Sequence, residues 1–535
     1  MRSPRPGRRP SRASTLSRVR RIESPGLAAL AAALVGAAGI ASASAPAVAG
    51  RSDLVRGVLP QGIPAAARVL TFALALALLW LSRGLARRKR RAWQLAVAFA
   101  VGSAVTHLAK GLDVEEAAGS LAVVAFLWRV RREFVAPGDP ESVRPLLQVG
   151  LVTAPLAALV GLHLAGEVAY SDLVDDSLLV VLGALAARGL FLWLRPYRDR
   201  VRDVPAERRR AEELVRLHGG DSLSYFALRR DKSTFFSASG RSFLAYRVVA
   251  GTAIVTGDPI GDPAERRELV AEFRRVAHAK AWRVAVAGVS VRTLRDYAEL
   301  GFKSVYLGDE AYVLPDRFTL EGRQIRKVRQ SVTRLRRAGY RVELIAPAEA
   351  GPALRKELRA VSEEWRGRWP ERGFTMAMDA LFAYPETVLA VATRPDGRVG
   401  GFLQLVPAPA SGAYSLASMR RRRDTPNGLM EFLIVETIAW ARARGVSELS
   451  LNFAVFADYL RRTGLARAAL LELDRLFQLE RLHSFNRKFF PEWRRRYFCF
   501  ERWSDLPLAA LAYLRAESLL TPPGPWARTR DLAAR

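Results

Sequence analysis

The sequence contains one cysteine, Cys499, and five histidines in 535 residues. A lone thiol excludes an intrachain disulfide, a CxxC redox centre and a cysteine-rich zinc site, and with them a disulfide-stapled secreted fold. His107, His163, His218, His278 and His483 stand at no HxH or HExxH spacing, so no metal is expected. A GxSxG elbow, a GxxxxGK[ST] loop and a GxGxxG after a strand pattern are all missing, which argues against serine-nucleophile, P-loop and dinucleotide chemistry. Acidic residues are scarce too, 52 against 83 Lys and Arg, for a formal net charge of +31.

What is present is an even balance of oil and charge: 50% hydrophobic and 25% charged residues. Such a balance requires separate apolar and charged stretches, and so two solvents, lipid and water. Six apolar stretches occupy residues 27–48, 65–81, 92–109, 114–128, 146–165 and 173–194. Each approaches the roughly 20 residues a helix needs to cross a bilayer. The fourth is short and opens on Glu115 and Glu116, which suits a re-entrant or tilted segment. Basic runs at 1–24, 83–91 (RGLARRKRR), 129–132 (RVRR) and 195–210 alternate with charge-poor or acidic loops such as 167–176 (EVAYSDLVDD). Positive charge collects on the cytoplasmic side, so a multi-pass protein of a cell membrane with both termini cytoplasmic is expected. A cleaved leader within residues 1–50 is the alternative, and five further apolar stretches weigh against it.

Beyond the membrane half, the expected organisation is a basic juxtamembrane linker at 196–218, an α/β round at 219–318, a basic connecting helix at 319–345, a second α/β round at 346–505 and a tail at 506–535. The basic tail 1–24 and a transmembrane domain at 25–195 precede them. The linker reads equally as a headgroup-binding helix or a solvated one. Alternating short strands and helices punctuated by glycine and proline make the two rounds a tandem of similar α/β domains.

Small polar motifs at element ends are the candidate sites. Gly257-Asp258-Pro259 closes a strand, and 308–311 (GDEA), with Glu310, follows another. Pro426-Asn427-Gly428 opens a helix that carries Glu431 and Glu436, with Asn427 typed as N-cap. A helix start leaves N–H groups free for a phosphate or a developing oxyanion. The densest basic feature is 323–337 (RQIRKVRQSVTRLRR), where Arg323, Arg326, Lys327, Arg334 and Arg337 form one helical stripe opposite Ile325, Val328, Val332 and Leu335. A stripe of one sign suits RNA phosphates or lipid headgroups. A second basic and aromatic cluster at 485–503 (FNRKFFPEWRRRYFCFERW) contains Arg487, Lys488 and Arg494 to Arg496.

These motifs carry a resemblance. Residues 221–232 (DSLSYFALRRDK), 257–263 (GDPIGDP), 308–311, 329–339 (RQSVTRLRRAG), 415–432 (SLASMRRRRDTPNGLMEF), 450–456 (SLNFAVF) and 486–497 resemble the phosphatidylglycerol lysyltransferases, above all the membrane-bound synthetase portion of actinobacterial lysylphosphatidylglycerol synthetases. The likeness covers nearly all of 215–505, and the membrane half shares only architecture.

The resemblance implies two GNAT-like acyltransferase folds in tandem after the membrane helices. It implies transfer of an aminoacyl group, lysyl by the family's habit, from aminoacyl-tRNA to phosphatidylglycerol, giving a cationic lipid and resistance to cationic peptides. Aminoacyl-tRNA, phosphatidylglycerol and anionic membrane lipid are then the partners, a homo-oligomer is left open, and no cofactor is needed. It implies Arg420 as a phosphate anchor, Glu310 and Glu431 for the amine or proton transfer, Lys488 for phosphate and Asp258 as a lesser candidate. The family usually has Asp where this chain has Ala417. Two rivals remain at this stage, an acyl-CoA-dependent transferase of the same fold and a non-catalytic lipid-binding or translocating membrane protein.

Overall fold

The structure, a computed structural model, describes residues 24–44, 63–164, 172–193, 204–455 and 479–521, with Arg195, Tyr197, Asp199 and Val201. The arginine-rich residues 1–23, the first half of the loop 167–176, residues 456–478 and residues 522–535 lie outside them. The chain forms two compact units, one of Met1–Tyr197 with His278–Ala281 and one of Arg198–Ala277 with Trp282–Arg535.

In the first unit every apolar stretch is a helix: α1 Ser24–Ser44, α2 Ile63–Leu85, α3 Arg90–Gly111, α4 Val114–Arg129, α5 Val143–Leu164 and α6 Asp172–Trp193. Among the described residues, three are long and apolar enough to cross a membrane, Ser24–Ser44, Ala67–Leu85 and Arg90–Gly111. α4, with 16 residues and two glutamates in its first turn, is too short. Small residues let α1 and α2 touch backbone to backbone: a Cβ on Gly36 would lie 2.8 Å from the Ala75 carbonyl oxygen. The Trp93 indole N–H donates to the Leu127 carbonyl at 2.8 Å and ties α3 to α4.

The second unit opens on α7 Pro205–His218 and then alternates. Its first half holds β1 Ser233–Phe236, β2 Ser242–Val249, β3 Thr252–Thr256, β4 Ile260–Gly261, α8 Arg266–Ala279, β5 Arg283–Ser290, α9 Leu294–Glu299 and β6 Lys303–Val313. Then come α10 Arg326–Arg337, β7 Arg341–Ile345, α11 Pro352–Arg366, β8 Val388–Thr393, β9 Val399–Ala408, β10 Ala413–Arg421, α12 Leu429–Ala443, β11 Leu449–Val455, α13 Leu479–Asn486, β12 Glu492–Phe500 and α14 Leu506–Ala516. The β2–β3 hairpin turns on Ala250 and Gly251, both at positive φ (49° and 72°), the backbone a two-residue turn between twisted strands requires.

The two rounds share one sheet, in the order β1-β2-β3-β5-β12-β6-β11-β10-β9-β8-β7, with β4 beside β2. Each half runs antiparallel from its outer edge and ends in a parallel pair, β3 with β5 and β10 with β11. The halves then exchange their last strands: β12 pairs with β5, β6 pairs with β11, and β6 and β12 lie side by side. Three boundaries differ from expectation for a physical reason. β6 runs on to Val313, so Gly308 to Ala311 lie inside a strand, because both neighbours continue its ladder. α10 starts at Arg326, leaving Arg323 ahead of it. Gly428, not Asn427, is the N-cap of α12; its φ of 94° favours glycine, and a Cβ there would lie 2.6 Å from Ser331 of α10.

Candidate functional site

The parallel pair β10–β11 holds together only at Tyr414 with Leu449 and Ser415 with Ser450. Beyond those pairs β10 shifts register between Leu416 and Ser418, and β11 shifts between Ser450 and Phe453. Strands that part expose backbone groups a ladder would otherwise occupy. Asn452, at φ 75°, spans the opening: its amide donates to the Met376 carbonyl at 3.1 Å and the Leu416 carbonyl at 3.5 Å. The Ser415 and Ser418 hydroxyls beside it are buried and meet no hydrogen-bond partner among the described residues.

Under this opening lies a buried ionic network. Arg496 of β12 stands opposite Gly308 of β6, which has no side chain, and leans diagonally onto Glu310. Its Nε donates to Glu310 Oε2 at 2.7 Å, Nη1 to Asp221 Oδ2 at 2.9 Å, and Nη2 to Ser222 Oγ at 2.9 Å and the Tyr312 hydroxyl at 3.0 Å. Ser450 donates to the other Glu310 oxygen at 2.5 Å, so a fully buried carboxylate has both oxygens engaged. Burial alone would lower the Arg496 pKa; Asp221 and Glu310 more than offset it and hold the guanidinium charged. Burial, then Glu310, pushes the Tyr312 hydroxyl far above its ordinary range.

The opening of α12 gathers several sequence-predicted residues. Lys488 donates to Glu431 Oε1 at 2.8 Å, and Arg334 of α10 donates to the Asn427 carbonyl beside Gly428. Arg487 is exposed next to Lys488. Ile325, Val328, Val332 and Leu335 are buried as expected, while Arg323, Arg326, Lys327, Arg334 and Arg337 are exposed. Among the described residues, Arg323, Arg326, Lys327 and Arg337 meet no carboxylate, whereas Arg336 pairs with Glu436 at 2.6 Å. Arg420 lies at the end of β10 and donates to Glu371 at 2.5 Å. Glu310, Arg420 and Lys488 share no hydrogen bond with one another among the described residues.

Asp258 lies at the other parallel pair, just past β3. It accepts from the Thr293 hydroxyl at 2.5 Å and the Ser290 N–H at 3.4 Å, and burial, then Asp221, raises its pKa. Sequence reasoning missed Arg496, Asp221, Ser222, Ser450 and Asn452 as one constellation, although each falls in a motif that carried the resemblance.

Lys232 is a further buried cation. Its amine donates to the Phe226 carbonyl and the Thr256 hydroxyl, each at 2.8 Å, and sits 4.6 Å over the Phe374 ring. Burial, then Arg229, pushes it down to about 7 from 10.5. The folded value lies below the unfolded one, so between those pH values the unfolded chain holds a proton the folded chain lacks. Stability therefore rises with pH from about 7 toward 10, by up to about 1.4 kcal/mol per pH unit, and is flat below 7. Urea unfolding in detergent at neutral and alkaline pH should show this slope in the wild type and its loss in Lys232→Met.

Ala417 sits in the β10 register shift, 4% exposed, in an apolar cluster with Leu307, Phe374, Met376 and Phe498.

Comparison with known proteins accords with these motifs. The sequence profile of the family described as phosphatidylglycerol lysyltransferase, C-terminal, matches residues 212–500. The lysylphosphatidylglycerol biosynthesis bifunctional protein LysX of Mycolicibacterium gilvum is 32% identical over 505 residues, 85% of this chain and 46% of that protein. LysX of Mycobacterium ulcerans is 37% identical over 322 residues, 58% of this chain and 29% of that protein. This chain thus spans less than half the length of the curated relatives it matches. Among solved structures, L-PGS from Bacillus licheniformis matches with a TM-score of 0.54 at 25% identity, over 58% of this chain and 96% of that one. The C-terminal domain of a protein described as a lysylphosphatidylglycerol synthetase from Agrobacterium fabrum matches with a TM-score of 0.52 at 27% identity, over 59% of this chain and 98% of that one. With more than half its length matched by that profile, over the unit that contains the parted strands, the chain belongs to the phosphatidylglycerol lysyltransferase family.

Proposed function

We propose that the protein is a multi-pass membrane aminoacyltransferase that moves a lysyl group from aminoacyl-tRNA to phosphatidylglycerol, at a bacterial cell membrane with both termini cytoplasmic. The observation that carries the reading is the opening between β10 and β11, with Asn452 across it and the Glu310–Arg496 network beneath. We read the two halves of the sheet as GNAT-like units in tandem, of which the second, with its free hydroxyls at Ser415 and Ser418, is the catalytic one.

In the reaction, the glycerol hydroxyl oxygen attacks the ester carbonyl, the bond to the tRNA ribose oxygen breaks, and the hydroxyl proton passes to that ribose oxygen. Ester exchange between two alcohols is nearly balanced, so alignment and oxyanion stabilisation suffice and no cofactor is invoked. Arg420 anchors a phosphate, Lys488 with Arg487 binds a second, and the start of α12 at Asn427 and Gly428 is read as an N–H donor site for that second phosphate. Glu431, freed when a phosphate takes Lys488, binds the amine or relays the hydroxyl proton to the ribose oxygen. Glu310, with both oxygens engaged, acts by holding Ser450 and Arg496 in place, and Asp258 by firming the first parallel pair. The cationic lipid product lowers the negative charge of the membrane surface and so resists cationic peptides.

Membranes containing the protein, incubated with labelled lysyl-tRNA, should yield labelled lipid, and RNase added beforehand should abolish it. Absence of transfer from any aminoacyl-tRNA refutes the proposal, and RNase-insensitive transfer from an acyl-CoA replaces it.

The cations of α10 that meet no carboxylate among the described residues, with Arg323 just ahead of the helix, are read as the tRNA track. Changing Arg323, Arg326, Lys327 and Arg337 together to Gln should reduce the salt slope of tRNA binding by about 3. Stability should stay within about 0.5 kcal/mol, since all four are exposed. Fluorescence anisotropy of labelled tRNA across a salt series reads the first, and urea unfolding the second.

A further inference from the structure

The end of α11 and the corner that follows it have no part in the roles assigned above, although Arg420 lies beside them. Trp365 and Trp369 are 50% and 41% exposed, an unusual setting for two indoles four residues apart. Arg372 stacks over the Trp369 ring at 4.5 Å, and Arg368 between them is exposed and meets no carboxylate among the described residues. The arginine run 420–423 lies against the same corner: a Cβ on Gly367 would sit 3.7 Å from Arg423 Nη2. Arg366 and Arg420 both donate to Glu371, at 3.2 and 2.5 Å, so the corner joins Arg420 through one carboxylate. Among the described residues, the carboxylates paired with Arg366, Arg420 and Arg422 are Glu371 and Glu364, while the side chains of Arg368 and Arg423 are exposed and meet none, so cations outnumber carboxylates at this corner.

We infer that this corner is the surface by which the α/β unit rests on an anionic lipid bilayer. An indole combines an apolar body with a polar N–H and settles at the headgroup level, and arginines beside it draw in anionic lipid at about 1 kcal/mol each. The same chain carries helices able to cross a membrane, so a bilayer is within reach. RNA is the other partner for aromatic and cationic side chains, but α10 lies on the opposite face of the sheet. Ala390 and Ala392 of β8 pack with α10, whereas Leu389 and Val391 pack with Leu358 and Val361 of α11. The inference deepens the proposed function, because it brings the acceptor lipid to Arg420, and it rests on that reading for its catalytic consequence only.

The test uses the full chain in vesicles of equal parts phosphatidylglycerol and phosphatidylcholine, with a phosphatidylglycerol analogue carrying a diazirine near its glycerol. Illumination should label peptides spanning residues 360–372. Trp365→Ala with Trp369→Ala should raise KM for vesicle lipid about tenfold and leave transfer to monomeric dihexanoyl-phosphatidylglycerol unchanged. Lack of label at the corner overturns the inference. So does an equal loss with both lipids, or cross-linking of the corner to tRNA in place of lipid. If the wild type transfers nothing, the function proposed above fails while the labelling still decides the docking surface.

Discussion

Arg496→Met should destabilise the α/β unit by about 3–5 kcal/mol, one of the larger losses a single side chain can cause. The guanidinium is 2% exposed and bonds Glu310, Asp221, Ser222, Tyr312 and the Gly288 carbonyl at once. Its removal leaves Glu310 buried with Ser450 as its one remaining partner among the described residues, and an ionised carboxylate without a counter-charge cannot stay in the sheet at low cost. Glu310→Gln should cost less, about 1–3 kcal/mol, because Arg496 keeps Asp221. The double variant should be more stable than the sum of the single losses, since each charge is costly chiefly when the other is gone. Urea unfolding in detergent, followed through the α/β unit, measures all three. Strictly additive losses would show that the pair is not a coupled unit.

The position of Arg496 also shows where the sequence stops being readable. Arg494, Arg495 and Arg496 read as a basic run on a surface, yet the strand's pleat exposes Arg495 while Arg496 is buried, and Arg494 stacks 4.0 Å over Tyr312. Nothing local distinguishes them, because the carboxylate that accepts Arg496 is 186 positions away on a strand brought alongside by the exchange of β6 and β12. The same exchange explains why Gly308 to Ala311 read as a strand end: the hydrophobic alternation weakens there, and neighbours distant in sequence prolong the ladder. Elements fixed by their own periodicity were legible. The buried side of α10 and the helical character of the apolar stretches fall where the sequence places them, three of the helices being long and apolar enough to cross a membrane among the described residues. At the candidate site, the cluster of Asn427, Gly428, Glu431 and Lys488 was foreseen as residue types but not as neighbours. The contacts that join Lys488 to Glu431 and Arg334 to Asn427 span separations no short window contains.

Ala417→Asp should add to the wild type's pH dependence a further loss of stability toward neutral pH. Position 417 is 4% exposed and belongs to the apolar cluster that also holds Leu307, Phe374, Met376 and Phe498, so a carboxyl placed there loses water. Its folded pKa rises above the unfolded value near 4, by about 3–5 units if the site stays dry. A raised carboxyl pKa means the folded chain holds a proton the unfolded chain has released. Even protonated, the buried carboxyl costs about 1–3 kcal/mol; the variant is most stable relative to the wild type near pH 4 and falls further as pH rises, by up to about 4–7 kcal/mol once the folded group would ionise. Unfolding midpoints of the variant and wild type at acidic and neutral pH measure the divergence. A lysyl group delivered to the opening between β10 and β11 would supply the missing counter-charge, so a lysine amide should restore stability at neutral pH in the variant and leave the wild type unmoved. In the transfer assay the same substitution should raise the preference for lysyl-tRNA over aminoacyl groups without a side-chain charge. A variant as stable as the wild type at every pH, with no response to lysine amide, would place Ala417 outside the aminoacyl pocket and leave recognition of the lysyl chain to residues on the other side of the parted strands.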